Sequence, residues 1–132
     1  MSFPNPEADP NIVGYWNFEG NANDKKASCI SDSLNCRNGT IQGAAQIVDG
    51  KLLLDGVNSY IQVSDDNSLD SMSALSISLW FKTNDMDRNQ LILSKGGVWD
   101  EYSVRTWKPD KVLSFLRNAG SPCPGAACAE TP

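Results

Sequence analysis

The cysteines carry the chain's most constrained chemistry. Cys29 and Cys36 are separated by six residues and Cys123 and Cys128 by four, and the chain has no histidine. Pairing by proximity predicts the disulfides Cys29–Cys36 and Cys123–Cys128, which form in an oxidising compartment. One zinc ion held by four thiolates is the alternative, although paired zinc cysteines usually have two residues between them. The favoured interpretation is therefore an extracellular or cell-surface protein.

Catalytic arrangements are poorly represented. Without histidine, neither a Ser-His-Asp nor a Cys-His arrangement can form. Glycoside hydrolysis needs two carboxylates held across the scissile bond, and the glutamates do not share a strand at a suitable spacing. They are Glu7, Glu19, Glu101 and Glu130. The sequence predicts a protein that is not an enzyme.

Acidic loop residues are the candidate calcium ligands, because Ca²⁺ prefers carboxylate and carbonyl oxygens. The candidates are Asp65, Asp66, Asn67, Asp70, Asp100 and Glu101. A further group, Asp85, Asp87 and Asn89, begins like an EF-hand loop but has Gln90 where that loop needs glycine. Solvated acids in turns are the alternative for all of these residues.

Tryptophans beside polar loops are the candidate ligand-binding residues, since an aromatic face can stack on a sugar ring. They are Trp80, Trp99 and Trp107. A structural tryptophan that caps a β-sandwich is the alternative. Asn38-Gly39-Thr40 is a glycosylation sequon, which makes Asn38 a candidate acceptor, although the same residues also favour a turn.

Length and charge limit the partners. A chain of 132 residues is expected to form one domain, and a net charge of −5 without a basic cluster argues against nucleic acid. No apolar run approaches the ~20 residues of a membrane span, and no secretory signal is evident. Prolines in residues 1–10 predict a tail or linker, and residues 119–132 predict an irregular tail rich in Cys, Pro and Gly.

Alternating apolar residues predict strands through most of the chain. The clearest runs from 75 to 82, where Leu75, Ile77, Leu79 and Phe81 are expected to face the core. Ser76, Ser78 and Lys82 are expected to face outward. Asp55-Gly56 predicts a hairpin that joins residues 51–54 to 60–63. Residues 11–18, 40–47, 91–94, 102–107 and 112–117 are the other predicted strands, and the polar stretch 21–38 is a predicted surface loop. The last two strands are expected to pair as a hairpin, because Pro109 favours a turn between them. Seven or more strands without a convincing helix predict an all-β sandwich.

Several of these segments together resemble a known family. The motifs are Gly14-Tyr15-Trp16-Asn17-Phe18-Glu19-Gly20, Asp32-Ser33 with Asn38-Gly39-Thr40, residues 48–63, and Leu75-Ser76-Ile77-Ser78-Leu79-Trp80-Phe81-Lys82. In this order they resemble laminin-G-like domains, which belong to the concanavalin A-like jelly rolls. The resemblance implies an antiparallel β-sandwich over residues 11–118. It covers half to two-thirds of the family pattern, because the strands that follow Leu116 in that pattern have no counterpart here. The sandwich is therefore expected to be either a shortened version or an incomplete one that another chain or chain segment completes.

Two functions follow as expectations. The first is a non-catalytic recognition or adhesion module that binds a glycan or a protein surface, with calcium as the one candidate cofactor. The alternative is a structural subunit of a pilin-like or other surface filament, in which a neighbouring chain completes the sandwich. The second function implies a homo-oligomer or a partner strand at residues 91–94 or 112–117, because unpaired sheet edges are seldom left open.

Overall fold

The computed structural model describes residues 5–31, 36–70, 74–96, 102–107, 111–116 and 129–130. The chain divides into two compact units, unit 1 (Met1–Ser68) and unit 2 (Leu69–Pro132). The predicted limits of the sandwich, residues 11–118, stay a prediction.

Strands dominate both units. The described residues form α1 (Ala27–Ser31), β1 (Gly39–Gln42), β2 (Gln46–Val48), β3 (Lys51–Leu53), β4 (Tyr60–Val63), β5 (Leu91–Lys95), β6 (Tyr102–Trp107), β7 (Lys111–Leu116), β8 (Ala129–Glu130) and a 3-10 helix, Asn67–Leu69. All strand pairings are antiparallel. This composition is consistent with the all-β prediction, while the sandwich and the jelly-roll topology stay predictions.

The described residues of unit 1 form two separate two-stranded sheets. β1 pairs with β4, and β2 pairs with β3 across a tight turn at Asp49-Gly50. Both turn residues have positive φ values, 51° and 69°, which a two-residue hairpin turn with the twist of its strands requires. The predicted hairpin at Asp55-Gly56 is therefore wrong, because β3 and β4 belong to different sheets.

The connection from β3 to β4 is held by one carboxylate. Asp55 Oδ1 accepts hydrogen bonds from the Val57 and Ser59 amides at 2.9 and 3.1 Å and from the Ser59 hydroxyl at 2.5 Å. A Cβ on Gly43 would collide with the Asn58 carbonyl, so glycine is needed where this connection approaches the end of β1. An Asp-Gly pair thus closes a local loop here instead of a hairpin.

Residues 12–26 of unit 1 are irregular but partly buried. Residues 11–18 form no strand, which contradicts the prediction, and Phe18 has a φ of 56°. The predicted surface loop at 21–38 is also wrong in part, because Ala22, Asp24 and Lys26 are buried and α1 follows them. Alternate residues of this polar stretch turn inward because their carboxylate and backbone groups find partners there.

Unit 2 is built on a four-stranded sheet in the order β5-β6-β7-β8. β6 lies between β5 and β7, and its residues Tyr102, Ser103, Val104 and Thr106 are buried. The predicted pairing of residues 102–107 with 112–117 is confirmed by β6 and β7, whose register joins Trp107 to Lys111. The turn between them lies outside the described residues.

The predicted strand at 75–82 has no strand pairing within the described part of the chain. Leu75 and Leu79 are half-buried, whereas Ile77 and Phe81 are exposed, so the predicted inward face is only half realised. Ser76, Ser78 and Lys82 are exposed as predicted.

Candidate functional site

Exposed aromatic residues are concentrated in unit 2. Trp80 is fully exposed in the irregular segment 74–83, with Phe81 also exposed beside it. Trp107 ends β6 with 45% of its surface exposed. Two of the three predicted ligand-binding tryptophans therefore offer free ring surface, and Trp99 lies outside the described residues.

A shallow cavity of about 150 Å³ lies where β5 begins. It is lined by Asn89, Gln90, Leu91 and Arg105, and the pairing of β5 with β6 shifts register between Leu91 and Leu93. Such a bulge re-aims neighbouring side chains and is frequent beside binding sites. The Arg105 Nη2 atom donates to the Ser103 hydroxyl at 3.0 Å. The lining combines carboxamide groups, one cation and one apolar side chain.

Asp66 is the best-connected of the predicted calcium ligands. Its Oδ1 accepts from Arg37 Nη2 at 3.1 Å, from the Ser68 amide at 2.9 Å and from the Ser68 hydroxyl. The hydrogen bonds from Ser68, with a smaller contribution from Arg37, lower the pKa of Asp66 from 3.8 to about 2. A calcium ion at this carboxylate would compete with the Arg37 guanidinium.

The other acidic candidates have surroundings of their own. Asp70 accepts a hydrogen bond from Lys95 Nζ at 2.7 Å, Asp65 is exposed, and Asn67 begins the 3-10 helix. No group of three or more Cys, Asp or Glu side chains suited to a metal occurs within the described residues. Asp100 and Glu101 lie outside them, so calcium binding stays a prediction.

The acids of the loop before β5 are also engaged locally. Arg88 Nε donates to Asp85 Oδ2 at 2.5 Å, and the Asp87 amide donates to Asp85 Oδ1 at 2.9 Å. The pKa of Asp85 is lowered, first by Arg88 and then by the Asp87 amide. The Asp85 carboxylate is therefore bound by groups of its own loop.

The Cys29–Cys36 disulfide is present, as predicted. Cys36 is followed by Arg37, whose backbone amide donates to Asp24 Oδ2 at 3.2 Å and whose carbonyl accepts from Trp16 Nε1 at 2.8 Å. Asn38 is exposed, and its Oδ1 accepts from the Asp24 amide at 3.1 Å. Glycosylation of Asn38 stays a prediction. Cys123 and Cys128 lie outside the described residues.

Two buried polar residues organise the structure and were missed by sequence reasoning. Asp24 is 3% exposed, and its Oδ1 accepts from the Tyr15 and Lys26 amides at 3.0 and 3.1 Å. Thr106 is 1% exposed, and its hydroxyl accepts from the Gln90 amide at 2.9 Å. Residues 22–26 are Ala-Asn-Asp-Lys-Lys, which has no apolar alternation, so the local sequence carried no signal for the burial of Asp24.

Comparisons of the chain with family models, curated proteins and solved structures found no match. The likeness to laminin-G-like domains therefore rests on the sequence motifs alone. Within the described residues, no helix is both long enough and apolar enough to cross a membrane.

Proposed function

We propose that this chain is a non-catalytic, extracellular recognition module of the laminin-G-like type, which binds a glycan or a protein surface. The observation that carries the proposal is the exposure of Trp80 and Trp107. An aromatic ring left in water has apolar area to bury on binding, and its face suits the C–H groups of a sugar. The cavity beside Leu91 would add carboxamide groups and a guanidinium, which can orient polar ligand groups.

The disulfide supports an extracellular location, since such bonds persist in oxidising compartments. Calcium is proposed as an optional cofactor and not as a requirement. Asp66 and Asp70 already have cationic partners, so each ion pair would have to open before the carboxylate could bind a metal.

A glycan array tests the proposal and is run once with about 2 mM calcium and once with a chelator. This calcium concentration exceeds the dissociation constants of extracellular calcium modules, which are about 0.1–1 mM. The variants are Trp80→Ala and Trp107→Ala. The matched control is Tyr60→Ala, which removes an exposed aromatic ring from β4 of unit 1. We expect the tryptophan variants to lose binding and the Tyr60 variant to keep it. Equal binding by all four proteins would contradict a role for these rings.

The structural-subunit alternative is favoured by a different observation. β5 has only β6 as a sheet neighbour among the described strands, and Leu91 on it is 57% exposed. An open edge of this kind can accept a strand from another chain. β7, the other edge considered, pairs with β8.

Molar mass separates the two functions. Light scattering over a wide concentration range should give the 14.4 kDa monomer for a recognition module. A mass that rises with concentration would support the structural subunit.

A further inference from the structure

The open edge of β5 and the irregular segment 74–83 belong to the same unit and are separated by one short loop. β5 is paired on one side only among the described strands. Segment 74–83 has strand-like alternation, and its residues Ile77, Trp80 and Phe81 are exposed. Within the described residues, the outer edge of β5 thus has no strand beside it, and the strand-like segment 74–83 is paired with no strand.

Side chains at the two ends of the connecting loop hold it closed. Gln90 Nε2 donates to Thr83 Oγ1 at 3.1 Å, and Thr83 Oγ1 donates to Gln90 Oε1 at 3.2 Å. Gln90 Nε2 also donates to the Asp85 carbonyl within the loop. Residues 83 and 90 therefore face each other, as the last residues before a hairpin loop do.

The loop is also fixed to the sheet. The Thr106 amide donates to the Gln90 carbonyl at 2.8 Å, and the Gln90 amide donates to the Thr106 hydroxyl at 2.9 Å. The same hydroxyl lies 3.3 Å from the Arg88 carbonyl. Because Thr106 lies on the central strand β6, the end of the loop at Gln90 is anchored where β5 starts.

We infer that residues 75–82 form a fifth strand that closes antiparallel onto the free edge of β5 in the same chain. Counting outward from the contact of Thr83 with Gln90 places Lys82 opposite Leu91, Trp80 opposite Leu93 and Ser78 opposite Lys95. In this register the outer backbone groups of β5 would pair with those backbone groups of residues 75–82 that face β5. Successive side chains of the strand then lie on opposite faces of the sheet. One face carries Leu75, Ile77, Leu79 and Phe81, and the other carries Ser76 and Ser78.

This inference does not depend on the proposed ligand. It does bear on the structural-subunit alternative, since an edge occupied by the chain's own segment is no longer open to a neighbour. Strand exchange between two copies is the competing arrangement, because the same register forms when the segment comes from a second molecule.

Amide hydrogen exchange followed by NMR tests the inference on the full chain. If β5 is paired on both sides, all of its amides should exchange slowly, including those that do not bond to β6. Their exchange rates should be at least about tenfold lower than those of amides at an unpaired edge. Cross-strand contacts between residues 80 and 93 should accompany this protection at every protein concentration.

Ser78→Pro removes an amide from the proposed strand, and Ser78→Ala is its matched control. We expect the proline variant to lose the protection of the outer β5 amides by about tenfold or more, with the Ser103 amide of β6 unchanged and the alanine variant like wild type. The wild-type measurement decides the matter if the proline variant fails to fold. Outer β5 amides that exchange freely in wild type would overturn the inference, as would protection that appears only with a doubled molar mass.

Discussion

The two units solve the burial of polar groups in different ways. In unit 1 a charged carboxylate, Asp24, collects backbone amides from segments before and after it, with Lys26 Nζ 3.8 Å away. In unit 2 a neutral hydroxyl, that of Thr106, ties the loop before β5 to the central strand of a continuous sheet. Unit 1 compensates for its short two-stranded sheets with side-chain hydrogen bonds and a disulfide, whereas unit 2 relies mainly on its strand ladder.

This contrast has an energetic consequence. A two-stranded sheet is marginally stable by itself, so unit 1 depends on groups outside its strands. A buried ion also costs more than a neutral group when its partners are removed, because its desolvation is no longer compensated. Unit 1 should therefore be the more sensitive to a single polar substitution.

The largest effect is expected for Asp24→Ala. The change leaves the amides of Tyr15, Lys26 and Arg37 without their acceptor and strands the buried Lys26 ammonium. Breaking a buried pair of this kind costs about 3–5 kcal/mol of unfolding free energy. Urea denaturation measures the loss, and Asp24→Asn, which keeps one acceptor oxygen, should lose less.

Hydrogen exchange shows whether the loss is confined to unit 1. Amides of residues 15–39 should exchange faster in Asp24→Ala, while those of β6 should keep their rates. Equal acceleration of exchange in both units would mean that they unfold together. Unit 1 would then be no more sensitive to a polar substitution than unit 2.

A smaller effect is expected for Thr106→Val. The substitution keeps the volume but removes the buried hydroxyl, so the amide of the half-buried Gln90 loses its acceptor. One unsatisfied buried group costs about 1–3 kcal/mol. Thr106→Ser keeps the hydroxyl and should restore most of the stability, measured by the same denaturation. A Val variant as stable as wild type would show that the loop is held by other contacts.

The sequence predicted elements better than it predicted their partners. Local alternation located β4, β5, β6 and β7, and proximity located the disulfide Cys29–Cys36. The sheet partner of β4 could not be found in this way, because the Asp49-Gly50 and Asp55-Gly56 pairs carry the same turn signal. Which pair forms the hairpin depends on β1, a strand distant in sequence from β4.

The candidate site was predictable only by residue type. Tryptophan exposure depends on what packs over each ring, so the sequence could nominate Trp80 and Trp107 without deciding between binding and packing. The acidic residues near Asp66 were visible as a cluster, but Arg37 is distant in sequence. Only the folded chain shows that this cation is beside Asp66.

The smallest effect concerns pH and the Asp66 carboxylate of unit 1. Its pKa falls from the ordinary 3.8 to about 2 in the folded protein, chiefly through Ser68. A depressed folded pKa means that the unfolded chain takes up the proton first as the solution is acidified. The stability from this group is therefore fully present above about pH 4 and is lost as the pH falls toward 2.

Asp66→Asn removes the titration, so the difference in urea midpoint between wild type and variant should shrink over that interval. Because the Asp66 side chain is 42% exposed, the shift in urea midpoint should be smaller than for the substitutions of the buried residues Asp24 and Thr106. Asp85→Asn, at a carboxylate of unit 2 whose pKa is lowered by Arg88, provides the comparison between units. The contrary outcome is a difference in urea midpoint that stays constant from about pH 5 to about pH 2, the range in which carboxyl groups titrate. It would show that Ser68 and Arg37 do not favour the charged form of Asp66.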